Sequence, residues 1–155
     1  MIPIDICRTT KLRLAPAAMT AVLTTAAVLG GATAARAEPV APSADQLTTQ
    51  VSAIFDLNAD RAQRASYLQA GDAALPVADT VAGPMGQHRS MVSMRVENPT
   101  LDGEHVNSQL VMSVMGIGAQ SRPLTWIEQG GTWKLSTRSL CDIYTETSRT
   151  SKCPV

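Results

Sequence analysis

Large rings are scarce in this chain. Two Trp, two Tyr and one Phe make up 3% of its 155 residues, so the tryptophans must supply much of the large apolar area of any core. Neither sign of charge is in excess: 13 Lys and Arg stand against 13 Asp and Glu, and the cations form no run. Without a basic cluster the chain lacks what supplies most nucleic-acid affinity, so no nucleic acid is expected as a partner. The motifs of phosphate and hydrolase chemistry are missing too. There is no P-loop, no Gly-x-Ser-x-Gly and no Cys-x-x-Cys. Gly116-Ile117-Gly118 lacks the third glycine of a dinucleotide loop, and Pro123 and a strand follow it where a helix is needed. Asn98-Pro99-Thr100 has proline in the middle and is no glycosylation acceptor. His88 and His105 are the only histidines, and no His-x-x-x-His spacing occurs, so neither metal nor cofactor is expected.

What is present begins with an export signal. Lys11 and Arg13 precede an apolar stretch from Leu14 to Ala35, which ends in Ala35-Arg36-Ala37 before Glu38. A positive start, an apolar middle and a small-x-small site read as a secretory signal over 1–37, cut between Ala37 and Glu38. The alternative is an uncleaved anchor, since about 20 apolar residues can span a bilayer; the membrane is a partner only in that case. No cysteine stands at the cut, which argues against a lipoprotein, and no Arg-Arg pair suggests the twin-arginine route. Four of the basic residues (Arg8, Lys11, Arg13, Arg36) and one acid (Asp5) precede residue 38, leaving 118 residues with a net charge of −3. Cys7 leaves with the signal. Cys141 and Cys153 remain, an even pair in an oxidising compartment, and a disulfide closing a C-terminal tail over 141–155 is the reading. A free thiol pair or a metal site with distant ligands are the alternatives.

Residues 38–42 form a Pro-rich leader, and 43–140 read as the folded domain. Ser43 and Gln46 make a capping box for a helix over about 44–57, with Leu47, Val51, Ile54 and Phe55 at helical spacing. A second helix is expected over about 60–70, with Ala62, Ala65 and Leu68 on one face and Arg61 and Arg64 outside it. A third begins near Asp72, with Pro76 in its first turn, and ends or breaks at Gly83-Pro84. From residue 88 the period becomes two. Val92, Met94 and Val96 share one face; after a turn at 99–103, Val106, Leu110, Met112 and Val114 share another. Gly130-Gly131 then closes a hairpin in which Glu128 opposes Trp133 and Trp126 opposes Leu135, so both indoles lie on one face. Helices followed by three or four antiparallel strands give an α+β domain, with the helices packed on one face of a curved sheet that can enclose a cavity.

The order of "PSADQL", "LQAGD" and "WIEQGGTWKLSTRSLC" resembles the C-terminal domain of the secreted low-molecular-weight antigen family of mycobacteria and related actinobacteria, over roughly 43–145. The resemblance implies a cystatin-like or nuclear-transport-factor-like cone, export, and no enzymatic chemistry whose residues could be carried over. Ketosteroid isomerase, elsewhere among such cones, places an acid/base Asp and an oxyanion donor inside, which is analogy alone.

Six residues are therefore candidates for a ligand pocket. Trp126 and Trp133 form its apolar wall, or simply pack the core. Glu128 falls on the apolar face beside Trp133, as a pocket group or at the wet rim of the sheet. Asp72 and Asp79, seven apart, could pair for acid/base work, and Tyr67 could donate into the cavity; a helix cap, a solvated charge and a half-buried ring are the structural alternatives. Met85, Met91, Met94, Met112 and Met115 read as core filling before any adaptable apolar site. The leading expectation is a secreted, non-catalytic binding or envelope-associated module. Its partners would be an apolar small ligand or an envelope or host protein. An isomerase-like or hydratase-like enzyme is the alternative. An exposed sheet face could also pair two copies; the sequence does not decide it.

Overall fold

The capping box forms. The computed structural model describes residues 40–88 and 90–155. In it the Gln46 amide donates to Ser43 Oγ at 3.1 Å, and the Ser43 amide donates to Gln46 Oε1 at 3.0 Å. Helix α1 follows over Ala44–Ile54 and buries Leu47, Val51 and Ile54. The signal segment and its cleavage residues Ala35, Ala37 and Glu38 lie outside the described residues. Of the leader, Val40 to Pro42 is described: Pro42 is buried, and the Val40 carbonyl accepts from the Trp133 indole at 3.0 Å.

Helix α2 spans only Arg61–Ser66, capped by Asp60, whose carboxylate accepts from the Gln63 amide at 2.8 Å. The helix stops at Tyr67, short of the expected end near 70. Ala62 is exposed and Arg64 is buried, the reverse of the sequence expectation. Past Tyr67 the chain meets the last strand: the Leu135 amide donates to the Tyr67 carbonyl at 2.8 Å, and the Gln69 amide donates to the Leu135 carbonyl at 3.0 Å. A 3-10 turn over Gly71–Ala74 leads into α3, Leu75–Gln87. Pro76 lies in its first turn, as expected. Pro84 does not end it. Proline deprives the Thr80 carbonyl of its helical donor, but Thr80 and Pro84 both face solvent, where water replaces the bond, while Val77, Ala78, Val81 and Ala82 stay buried.

The sheet is a meander in the order β1-β2-β3-β4, antiparallel throughout, with β1 at Val92–Asp102, β2 at His105–Val114, β3 at Gly118–Gln129 and β4 at Thr132–Leu135. The expected turn at 99–103 narrows to Gly103-Glu104, because Pro99 and Thr100 continue β1 through a bulge between Glu97 and Thr100, with Asn98 at φ 53°. A bulged edge carrying proline is a poor template for further strands. The residue between the broken pairings matters less than the cover: the Val96 amide donates to Thr48 Oγ1 of α1 at 2.8 Å. β3 runs from Gly118 through Pro123 into the hairpin strand that ends at Gln129. Pro123 is tolerated because odd-numbered amides of β3 point to the edge that short β4 leaves uncovered. There, Ser139 Oγ accepts from the Thr125 amide at 2.9 Å, and the Ser136 amide donates to the Thr125 carbonyl at 2.9 Å.

Those serines start α4, Thr137–Ser148, where the sequence reading had only a tail. Leu140 and Ile143 bury against the core. Cys141 of α4 is bonded to Cys153, and Cys153 and Val155 pack against the core. A loop this short contributes about 3 kcal/mol by restricting the unfolded chain. Replacing both cysteines with serine is expected to lower stability by about that amount, read as a fall in the urea midpoint. An unchanged midpoint would mean that the tail contributes nothing to the fold. Among the described residues no helix is long and apolar enough to cross a membrane.

Candidate functional site

The inward face of the sheet carries Val92, Met94 and Val96 on β1, opposite Val114, Met112 and Leu110 on β2. On β3 the same face continues through Arg122 and Leu124 to Trp126. The face is apolar to different depths. Toward Trp126, Leu124 and Leu135 it is fully buried under α1, α3 and α4. Toward Val92 and Val114 it is only half covered. There a cavity of about 130 Å³ opens. Phe55 at the end of α1 and Val81 and Met85 of α3 form its roof; Val92, Leu110, Met112 and Val114 form its floor; Ile143 and Thr147 of α4 close one side. A second hollow of about 200 Å³ shares Phe55, Met85 and Val92 and adds Met94. Opposite Leu110, Arg122 reaches across to an ion pair with Glu146 of α4, next to Thr147 and three residues after Ile143.

This lining has no acid, base or nucleophile beyond the Thr147 hydroxyl, which donates to the Ile143 carbonyl at 2.8 Å. Its chemistry is exclusion of water and dispersion contact. Methionines on both roof and floor let it adapt to the shape of an apolar guest.

None of the six candidate residues lines the cavity of about 130 Å³. Trp126 is fully buried, and its indole donates to Ser108 Oγ at 2.9 Å. Trp133 packs at the edge of the same core, against the leader. Their register is the expected one: Glu128 opposite Trp133, and Trp126 opposite Leu135. Glu128 is half-buried at the hairpin end and accepts from the Gly131 amide at 2.6 Å, which places it at the turn. Asp72 lies in the 3-10 turn with 78% of its side chain exposed, 3.7 Å from Arg61. Asp79 sits on α3 and accepts from buried Arg64. Tyr67 is half-buried where α2 ends, packed against the core. His88 ends α3 and His105 starts β2, both exposed. Among the described residues no group of three or more His, Cys, Asp or Glu is placed to hold a metal ion.

The residues that line the cavity were visible in the sequence only as core. Met85, Met94 and Met112 keep the same period as Val and Leu, so periodicity cannot say whether they fill space or border it. The usable signal was their number near the sheet.

The domain is α+β and closed by a disulfide, with helices laid across one face of a four-stranded meander and an apolar gap between them. The family described as low molecular weight antigen MTB12, C-terminal domain, matches residues 40–151, and the chain belongs to that family. No curated protein matches it.

Proposed function

We propose that the protein is exported and acts as a non-catalytic binding module of the cell envelope or its surroundings, taking a small apolar group, such as the end of a lipid chain, into the methionine-lined cavity. One observation carries this reading: the apolar gap of about 130 Å³ between α3, α4 and the β1–β2 face. An apolar cavity of roughly 150 Å³ stays dry and accepts a benzene-sized guest. The Cys141–Cys153 bond fits an oxidising compartment, and membership of an antigen family fits export. The helix-covered concave sheet agrees with the nuclear-transport-factor-like cone that the sequence resemblance implied.

Native mass spectrometry of the protein recovered from its host's medium tests both halves. The expected species is 38–155 without its two thiol hydrogens and with an added apolar ligand. Thr147→Trp provides the site-specific arm. Thr147 is exposed at the side of the cavity, so a large ring there fills the gap at little cost to folding. It is expected to weaken binding of a fluorescent apolar probe at least about tenfold, or some 1.4 kcal/mol, with unchanged circular dichroism. A bare mass together with undiminished probe binding would overturn the cavity reading.

A further inference from the structure

From Gly118 to Trp126, Arg122 is the one charged residue on the inward face of β3. It is paired with Leu110 of the cavity floor, and Gln120, two residues before it, is paired with Met112, also of the floor. Side chains of such cross-strand pairs stand next to each other on one face. Gln120 and Arg122 therefore form a polar strip along the β3 side of the apolar gap. Across it, the ion-pair partner of Arg122 is Glu146, next to Thr147, which closes the cavity. The Arg122 side chain is 29% exposed, partly shielded from water yet open to a ligand.

The guanidinium is not saturated. Both of its hydrogen bonds leave Nη2, one to Glu146 and one to Gln120 Oε1 at 3.3 Å. Among the described residues nothing accepts from Nε or Nη1, so those N–H groups are free to meet a further acceptor. Glu146 is 48% exposed, and an ion pair so open to water contributes little to stability. A carboxylate carried in on a chain that buries itself in the cavity therefore competes well for this arginine: the chain adds its own burial, and Glu146 is left where water can solvate it. The other acid near the gap, Asp56, borders the adjoining hollow on the α1 side, where it accepts from the Asn58 amide at 2.9 Å. An acidic head thus belongs on the β3 side. The volume sets the length. A cavity of roughly 150 Å³ takes benzene, so this gap of about 130 Å³ holds about six carbons and leaves the head at its edge.

We infer that the ligand is a medium-length aliphatic chain ending in a carboxylate, with its tail in the methionine-lined cavity and its carboxylate on Arg122 in place of Glu146; this rests on the cavity reading given under the proposed function. Octanoate and 1-octanol, the same chain with and without the charge, test it by titration calorimetry of the full chain at neutral pH. Octanoate should bind at least about tenfold tighter than octanol. Arg122→Gln should remove that preference. Glu146→Gln should increase it, because the competing carboxylate is gone. A pair that merely braces α4 on β3 would change both ligands alike and leave their ratio where it was. Equal binding of octanoate and octanol, a preference that survives Arg122→Gln, or a preference that falls with Glu146→Gln would overturn the inference and leave the cavity standing. Failure of both ligands to bind, or binding that Thr147→Trp does not weaken, would overturn it together with the cavity reading.

Discussion

Trp126→Ala is expected to lower the free energy of unfolding by about 4 kcal/mol, a large part of the roughly 5–15 kcal/mol available to a domain. Trp126 is among the largest fully buried side chains and belongs to one core cluster with residues of α1, α3 and α4. Its removal combines lost burial, a residual cavity and an orphaned polar group. The last of these can be isolated. The indole satisfies Ser108 Oγ, itself buried. Trp126→Phe keeps most of the ring volume but leaves that hydroxyl without its donor, for an expected loss of about 2 kcal/mol. Adding Ser108→Ala to Trp126→Phe should recover about 1 kcal/mol, because no unsatisfied group then remains. Urea denaturation followed by circular dichroism gives all three values. Trp133→Ala should cost less than Trp126→Ala, since its indole reaches only the leader carbonyl of Val40. Equal losses at the two tryptophans would contradict the depth assigned to them here.

The elements with a local chemical signature were legible in the sequence. Ser43 and Gln46 fix a helix start through two reciprocal hydrogen bonds, and Gly130-Gly131, at φ 64° and 81°, fix a two-residue turn and with it the register of both tryptophans. β1, β2 and the two strands of the Gly130-Gly131 hairpin followed from alternation, but the first half of β3, Gly118 to Pro123, did not. What escaped needed information from outside the local window. Helix α4 has a serine cap at Ser136, but its body is rich in Ser and Thr, weak helix formers, and it ends on Arg149 in the left-handed region rather than on glycine. Packing against α3 and the uncovered β3 edge decides it. The same holds for the site. A methionine bordering a gap and one filling it look alike until the opposing element is in place. Arg64 falls outside the face shared by Ala62, Ala65 and Leu68 in the helical reading, yet in the short α2 Arg64 is buried beside Ala65 while Ala62 is exposed.

The second large effect concerns that arginine. Arg64 is 4% exposed; its Nε donates to the Ile54 carbonyl at 3.0 Å, and its guanidinium meets Asp79, whose side chain is 40% exposed. One cation thus ties the end of α1 and the middle of α3 to α2. Removing one partner of a buried pair is expected to cost about 3–5 kcal/mol, because the other charge loses its compensation. The costs here should be unequal. Asp79→Ala leaves a cation enclosed by protein and falls near about 3 kcal/mol. Arg64→Met leaves an aspartate that water can reach, offset by the unpaired Ile54 carbonyl, and should cost about 2 kcal/mol. The double variant should cost clearly less than the sum, since no charge remains to be solvated. A double-mutant cycle by urea denaturation gives the coupling, and additive losses would mean that the pair does not hold the three helices together. The result also bears on chemistry at Asp79. A carboxylate engaged by a buried guanidinium serves as an acceptor, so the catalytic alternative requires that Asp79→Asn abolish an activity while sparing the fold; the geometry leads us to expect a loss of stability, about 2 kcal/mol, from that substitution first.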